Sequence, residues 1–379
     1  MAERFTFFAT CSTGLEALLD AEIRNLKLAK VERQVGGVRF DGTYEDMARA
    51  NFHLRTAGRI LLRVARFEAL GSEGLYAGAV EVPWENFLKK GSTLRVDAQV
   101  ALSALDHSRF VEQRIKDAVV DRVTRLGFPR PQVEGEDADV RIHAHVYKDR
   151  VTLSLDSSGK ALRKRGWRKH QGRAPLAETL AAAMVLHSGW DGRAPLIDPF
   201  CGTGTLLVEA VMWATGTAPG HLRSDFGWRN WALADERWLD RTREAADKLR
   251  RPLGKTRLVG IDQSPERVRE CLEHLDAVGA AGNAEVEVGD ARHWVGKPGW
   301  NAQILSNPPY GVRVGPGADL NALYRGFGKN LRANAGGYHC TLLTQAEWLP
   351  ALDMPDWQRL DVRNGALECV IVKGDVPAV

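Results

Sequence analysis

Hydrophobic and polar positions alternate in short strand-like and helical runs over the first part of the chain. "RFTFFATC" and "VGGVRFDG" have the period of strands, whereas "GLEALLDAEIRNL" and "SRFVEQRIKDAVVDRVTRLG" carry apolar side chains at helical spacing. "DVRIHAHVYKDRVTLSLDSSG" predicts a hairpin of two strands around "YKDR". The pattern before residue 159 therefore predicts small α+β units.

From residue 175 onward, longer helical runs alternate with short apolar strands. The predicted strands are "APLIDPF", "RLVGID", "AEVEVGD", "NAQILSN" and "GYHCTLLTQ", and a helical pattern stands between each of them and the next except before "NAQILSN". This alternation predicts a parallel, doubly wound sheet with helices on both faces. "WQRLDVRNGALECVIVKG" places Asn364-Gly365 between two strand-like runs, so we expect an antiparallel hairpin at the end of the sheet.

A basic stretch separates these two parts. "GKALRKRGWRKHQGRAPL" contains no acid and places Trp167 among seven cations, namely Lys160, Arg163, Lys164, Arg165, Arg168, Lys169 and Arg173. Cations around an aromatic ring can neutralise phosphates and stack a base, so we expect a nucleic-acid contact here. The alternative is a solvated linker between domains.

Composition limits the other classes of function. The chain has 379 residues, enough for two or three domains, and a formal net charge of +4. It contains no uninterrupted run of about 18 apolar residues, so we expect no membrane span and no export. Its five cysteines are scattered without a C-x-x-C pair, and no histidine has a metal-ligand spacing. We therefore expect a cytoplasmic protein without a metal site.

A glycine-bearing turn in "LIDPFCGTGTLLVEA" lies between a predicted strand and a predicted helix. Gly202 and Gly204 allow a tight turn, and the helix N-terminus offers free N–H groups to a ligand. Leu207 stands where a dinucleotide fingerprint has its third glycine, and the Gly-Lys-Ser/Thr of a P-loop is missing. Asp198, at the strand end, suits a cationic amine better than a pyrophosphate. The alternative is an ordinary strand-to-helix turn.

Two more acids end the next two predicted strands. Asp262 can bind the two hydroxyls of a ribose, although the long insertion before it does not fit the spacing of about 20 residues in dinucleotide-binding proteins. Asp290 can accept a hydrogen bond from an adenine amine, and a helix cap explains it equally well.

The fourth strand ends abruptly in Asn307-Pro308-Pro309-Tyr310. A planar amine is a poor nucleophile until acceptors hold its two protons, and the Asn307 side-chain oxygen and the Pro308 carbonyl are such acceptors. The prolines remove competing backbone donors, and Tyr310 can stack on the ring that carries the amine. The alternative is a strand end with a buried tyrosine.

Together, "DPFCGTGT", "GID", "GDAR" and "NPPY" resemble the class I S-adenosylmethionine-dependent methyltransferases that methylate amino groups. That resemblance implies a Rossmann-like seven-stranded sheet in the order 3-2-1-4-5-7-6, with strand 7 antiparallel. Adding "DSSGKALRKRGWR", "SNPPYGVR", "RNGALEC" and "VDAQVALSALDHSRFVEQRIKDAVVD", nearly the whole chain resembles the bacterial THUMP-domain RNA methyltransferases that modify the guanine N2 amine, most closely the large-subunit rRNA enzymes with a single catalytic domain.

The resemblance implies a domain organisation and a set of site residues. The implied domains are a ferredoxin-like unit (1–50), a THUMP RNA-binding domain (51–158), a basic linker (159–175) and a methyltransferase domain (176–379). The implied S-adenosylmethionine-binding residues are Pro175, Asp198, Pro199, Cys201, Gly202, Thr203, Gly204, Asp262, Gln263, Asp290, Ala291 and Asn307. The catalytic residues would be Asn307, Pro308, Pro309 and Tyr310, and the RNA-binding residues Lys160, Arg163, Lys164, Arg165, Trp167, Arg168 and Lys169.

The expected reaction is methyl transfer to the N2 amine of a guanine, with 23S rRNA or a pre-ribosomal particle as the favoured partner. A tRNA guanine is the nearest alternative, since THUMP-like regions occur with both substrates. A protein glutamine methyltransferase would share N-P-P-Y but should lack the basic stretch. A non-enzymatic RNA-binding protein would not need the glycine turn.

Overall fold

Two β-sheets organise the chain. The structure is a computed structural model that describes residues 3–378 except 134, 136, 170–175, 298 and 311–318. The first sheet has the order β2-β3-β1-β4-β8-β7-β5-β6. Its strands are β1 (Phe5–Thr10), β2 (Ala29–Gln34), β3 (Gly37–Gly42), β4 (Arg59–Glu68), β5 (Thr93–Ala101), β6 (Gln132–Val133), β7 (Val140–Tyr147) and β8 (Arg150–Asp156).

Helices cover one face of this first sheet. They are α1 (Glu16–Asn25), α2 (Tyr44–His53), α3 (Ser72–Val80) and α4 (Ser108–Arg125). Alternate strand residues such as Phe7, Phe40 and Leu62 point into the core beneath the helices. β4 pairs with both β1 and β8, so the first two α+β units share one continuous sheet. The expected division between residues 50 and 51 falls inside α2, where the structure has no break.

The second sheet has the order β11-β10-β9-β12-β13-β15-β14. Its strands are β9 (Leu196–Asp198), β10 (Leu258–Asp262), β11 (Ala284–Val288), β12 (Gln303–Ser306), β13 (His339–Thr344), β14 (Gln358–Asn364) and β15 (Leu367–Asp375). Counted within this sheet, the order is 3-2-1-4-5-7-6, and its strand 7, β15, runs antiparallel to both neighbours. The expected fold class is confirmed.

Helices pack on both faces of the second sheet. They are α5 (Glu178–Ser188), α6 (Thr205–Ala214), α8 (Pro265–Ala277), α9 (Leu320–Asn334) and α10 (Leu349–Leu352). The remaining helix, α7 (Arg237–Asp247), packs instead on α2 and buries Leu239 and Ala246 in the core of the first sheet. The core on one side contains Leu196 and the apolar faces of α5, α6 and α8, whereas Ile197 lies in the core beneath α9. Both cores meet at β9, which is buried on its two faces.

The insertion between α6 and β10 connects the two halves of the molecule. Its residues Phe226, Trp228 and Trp231 are buried in the core of the first sheet. Gly227 lies so close to Gly159 that a Cβ on Gly159 would approach the Gly227 nitrogen to 2.9 Å. The sequence pattern indicated only that this insertion disfavours a dinucleotide-binding domain; its role in joining the halves depends on packing between distant segments.

Candidate active site

Asp198 lies at the carboxyl end of β9 and is 1% exposed. Its Oδ1 accepts hydrogen bonds from Ser306 Oγ at 2.5 Å and from the Phe200 N–H at 3.1 Å. Burial raises the pKa of Asp198 to about 7, because these two hydrogen bonds only partly offset the loss of hydration. No lysine or arginine in the described part of the chain pairs with this carboxyl group, so the site favours a bound cation.

The glycine turn follows β9. Gly202 and Gly204 have φ angles of +51° and +79°, where a side chain is disfavoured. A Cβ on Gly204 would approach Cys271 Sγ to 2.5 Å, whereas a Cβ on Gly202 would meet nothing within 4 Å. Gly204 therefore allows α6 to pack on α8, and Gly202 keeps the turn open on its outer side. Because no side chain caps α6, its first N–H groups can bind a ligand.

Asp262 connects this turn to the neighbouring strands. Its Oδ2 accepts from the Gly202 N–H at 3.0 Å, and its Oδ1 accepts from the Ser264 N–H at 2.9 Å. Its backbone carbonyl accepts from the Gly289 N–H at 3.0 Å. The carboxylate is half-buried, and Gln263 beside it is exposed. The ends of β9, β10 and β11 thus lie together, as their parallel order requires.

Asp290 follows β11 and is held by a neighbour that the sequence did not indicate. The Arg292 guanidinium binds both carboxylate oxygens, at 2.5 to 3.0 Å, and lowers the pKa of Asp290 to about 2. Ala291 is buried in the core beneath α9. Asp290 is therefore an ionised acceptor at neutral pH, and both of its oxygens already accept from Arg292.

Asn307 follows β12 directly, next to Ser306 and Asp198. Its side-chain Oδ1 is buried and has no hydrogen-bond partner among the described residues. An unpaired buried acceptor costs about 1–3 kcal/mol, so it is a place where a ligand can supply the missing donor. Pro308 is buried, and the Pro309 carbonyl accepts from Tyr324 Oη at 3.3 Å.

Tyr310 is fully buried and belongs to the core beneath α5 and α6. Asn364, the last residue of β14, donates from Nδ2 to Tyr310 Oη at 2.9 Å. This arrangement contradicts the expectation of a ring open for stacking and agrees with the alternative of a buried tyrosine. Asn364 is also not a central residue of its hairpin turn, because it pairs with Leu367 and leaves Gly365 and Ala366 as the turn.

The basic linker divides into buried and exposed positions. Arg165 and Trp167 are 2% and 1% exposed, and Arg165 forms an ion pair with Glu209 at 3.1 Å in which both side chains are buried. The Arg168 side chain is 10% exposed and binds Glu178 at 2.7 Å. These contacts contradict the expectation that Arg165, Trp167 and Arg168 contact RNA. The expected residues that remain exposed are Lys160, Arg163, Lys164 and Lys169.

Arg223, in the insertion, fixes the path of this linker and was not anticipated from the sequence. Its guanidinium donates to the backbone carbonyls of Ser158, Lys160, Ala161 and Lys164 at 2.7 to 3.2 Å. Burial lowers the pKa of Arg223 to about 10, so it remains charged at neutral pH. Exposed and buried side chains are interleaved along the linker, so the charge content of the sequence alone could not predict which of its cations are exposed.

Some expected features lie outside the described residues: Pro175, Arg173 and the residues that follow Tyr310. Across the described part, three or more His, Cys, Asp or Glu side chains never converge in a way that could hold a metal ion. The described helices also include none that is long and apolar enough to cross a membrane.

A family profile described as an RMKL-like methyltransferase domain matches residues 165–373, more than half of the chain. The chain belongs to this family. A profile for an RlmL ferredoxin-like domain matches residues 6–61, and a THUMP domain profile matches residues 72–156. The RMKL-like methyltransferase domain thus follows a ferredoxin-like domain and a THUMP domain, which confirms the expected family and domain types.

Relatives of this RMKL-like protein extend the comparison. A ribosomal RNA large subunit methyltransferase K/L from Syntrophotalea carbinolica is 36% identical, over 98% of this chain and 53% of the relative. The chain spans about half the length of the curated relatives it matches. A crystal structure of a candidate methyltransferase complexed with SAH is 28% identical with a TM-score of 0.89, over 100% of both chains.

A second solved structure carries a different substrate in its name. It is a predicted N6-adenine-specific DNA methylase from Listeria monocytogenes, 26% identical with a TM-score of 0.88, over 99% of this chain and 97% of that one. The fold is therefore shared by proteins whose names give different nucleic-acid substrates, and the substrate has to be argued from the site.

Proposed function

We propose that this chain transfers a methyl group from S-adenosylmethionine to the exocyclic N2 amine of a guanine in RNA, with 23S rRNA as the favoured substrate. The observation that carries the proposal is the buried Oδ1 of Asn307 at the end of β12, which has no hydrogen-bond partner within the described part of the chain. It lies beside the Asp198–Ser306 pair, on the edge where the glycine turn and Asp262 also lie.

The cofactor fits the polar groups of this edge. S-adenosylmethionine carries an ammonium group, a carboxylate, a ribose and an adenine, and supplies an electrophilic methyl group on a sulfonium. Asp198 is a buried acid that a ligand ammonium would stabilise in its ionised form. Asp262 would bind the ribose hydroxyls, and the open side of Gly202 gives the ligand access to the α6 N–H groups. Asp290 and Ala291 would border the adenine, with Pro199, Cys201 and Gln263 completing the site.

The residues after β12 would orient the amine. The Asn307 Oδ1 and the Pro308 carbonyl would accept its two protons, which turns the nitrogen lone pair toward the methyl carbon. The nitrogen–carbon bond would then form as the carbon–sulfur bond breaks, S-adenosylhomocysteine would leave as the thioether, and the nitrogen would give up one proton to solvent. Positioning and exclusion of water supply most of the acceleration in such a displacement, so a strong general base is not required.

RNA as the substrate is supported by charge on the open face of the first sheet. Strand alternation places Arg39, Arg63 and Arg141 on the face opposite the helices, and the bulge between Arg63 and Ala65 brings Arg66 to the same face. Arg39 is paired with Glu32 and Arg141 with Asp97, so among the described residues the unpaired charge on this face comes from Arg63 and Arg66. Arg66 is exposed, and Arg63 has no ion pair with any described residue. The four exposed linker cations add to this charge, which can neutralise phosphates. The THUMP domain and the names of the K/L relatives favour ribosomal RNA over the DNA named for the Listeria neighbour.

The test is nucleoside mass spectrometry of 23S rRNA and tRNA from a deletion strain carrying either the wild-type gene or Asn307→Ala. We expect one N2-methylguanosine to disappear from 23S rRNA on deletion, to return with the wild type and to stay absent with Asn307→Ala. Purified Asn307→Ala should bind S-adenosylmethionine within about threefold of wild type by calorimetry, because the lost amide faces the base.

Other outcomes assign the function differently. Loss of the nucleoside from tRNA alone would favour the tRNA alternative. Unchanged N2-methylguanosine in both RNA classes, or a wild-type protein that binds no S-adenosylmethionine, would overturn the proposal.

A further inference from the structure

Arg168 reaches from the linker to the glycine turn. Its Nη1 lies 3.2 Å from Thr203 Oγ1 and its Nη2 lies 2.8 Å from Thr205 Oγ1, while its Nε binds Glu178 at 2.7 Å. Thr203 belongs to the turn and Thr205 is the first residue of α6. One guanidinium thus spans both residues that flank Gly204.

The chemistry of these contacts fixes the direction of both threonine hydroxyls. A guanidinium can only donate, so each hydroxyl must accept from Arg168 through an oxygen lone pair. The hydroxyl hydrogens are then left to donate elsewhere, and among the described residues neither hydroxyl donates a hydrogen bond. Both side chains retain a small exposed fraction, 8% for Thr203 and 5% for Thr205. Together with the uncapped α6 N–H groups they form a set of donors that suits an anion.

Neighbouring side chains hold Arg168 in this position. Its guanidinium carbon lies 4.7 Å from the centre of the Trp167 ring, and Trp167 packs edge-on against His274 at 5.1 Å. His274 Nε2 accepts from the Lys169 N–H at 3.2 Å, which leaves the proton on Nδ1 to be donated to the Thr203 carbonyl at 2.9 Å. The linker therefore holds Thr203 at two points. Arg168 binds the Thr203 hydroxyl directly, and Lys169 reaches the Thr203 carbonyl through His274.

We infer that Arg168 is a positioning residue for the carboxylate of the cofactor: it turns the Thr203 and Thr205 hydroxyls into donors aimed at that group. This inference rests on the proposed function, and it assigns a role to a residue that the charge pattern had associated with RNA.

The test measures the affinity of the full-length protein for two ligands that differ by one group, S-adenosylmethionine and its decarboxylated analogue. Arg168→Gln should weaken S-adenosylmethionine binding about 10- to 100-fold, the range for hydrogen bonds to a charged group. The same variant should bind the decarboxylated analogue within about twofold of wild type, because that ligand has no carboxylate to place. Arg193→Gln, an exposed change shortly before β9, should alter neither affinity.

The outcomes separate this role from a merely structural one. An equal loss for both ligands in Arg168→Gln would overturn the inference, since general damage to the turn does not discriminate a carboxylate. If Arg168→Gln does not fold, Thr203→Val keeps the shape of the side chain and must show the same selective loss. A wild-type protein that binds neither ligand would refute the proposed function itself, whereas wild-type binding without selectivity in the variants would refute only the role of Arg168.

Discussion

At the scale of single residues, Asp198 determines how the site responds to pH. Its pKa near 7 is well above the usual 3.8 because the carboxyl is buried. An ammonium ligand needs the ionised form, so we expect S-adenosylmethionine affinity to fall as the pH drops below about 7, by up to tenfold per pH unit. Calorimetry at a series of pH values on both sides of about 7 measures this dependence.

Asp198→Asn is the control for that dependence. The amide cannot pair with an ammonium, so the affinity of this variant should be low and nearly independent of pH. Since the folded state holds the acid at a raised pKa, ionisation destabilises wild type as pH rises from about 4 to about 7. The amide side chain avoids this cost, so the variant should be about 1–4 kcal/mol more stable than wild type at about pH 8 and nearly equal to it at about pH 4. A wild-type affinity that is flat across this range would contradict the assigned role of Asp198.

At the scale of elements, the glycine turn combines two requirements that can be separated experimentally. Gly204 packs against Cys271 of α8, so Gly204→Ala should destabilise the fold by about 1–3 kcal/mol through the close contact and the positive φ. Part of that loss should be recovered in a Cys271→Ala background, which removes the sulfur. Urea denaturation of the single and double variants measures this recovery in the free energy of unfolding. If Gly204→Ala costs the same free energy in both backgrounds, the contact with Cys271 is unimportant.

Gly202→Ala is the matched comparison for Gly204→Ala. It shares the positive φ but meets no neighbour within 4 Å, so it should destabilise less. Its methyl group would instead occupy the open side of the turn. We therefore expect Gly202→Ala to lower the affinity for the cofactor more than it lowers the free energy of unfolding.

The elements also show where a sequence can and cannot predict this site. Asp198, Asp262 and Asn307 were placed correctly at one edge, because each follows an apolar strand and parallel strands end together. The burial of Tyr310 could not be predicted, because it depends on Asn364 in a hairpin 54 residues later in the chain. Arg165 was misassigned because a charged stretch gives no sign of a buried partner such as Glu209.

At the scale of the whole molecule, the insertion makes the THUMP-containing half and the methyltransferase half one packed unit. Trp228 and Trp231 lie in the core of the first sheet although they belong to a segment between strands of the second. Glu22 accepts from the Arg55 and Thr56 N–H groups, and Arg55 donates to the Thr217 carbonyl across the boundary. This arrangement fixes the distance between the first sheet and the end of β12, which a flexible linker would leave variable.

Trp231→Ala tests whether that packing couples the two halves. Removing a fully buried indole should destabilise the first core by about 3–5 kcal/mol, while the core around β9 does not contain this side chain. We therefore expect wild type to unfold in a single calorimetric transition and Trp231→Ala in two, with the first half unfolding at the lower temperature. Leu249→Ala, an exposed change in the same insertion, should shift stability by less than about 0.5 kcal/mol. A single, uniformly lowered transition in Trp231→Ala would mean that other contacts across the boundary suffice to keep the halves cooperative.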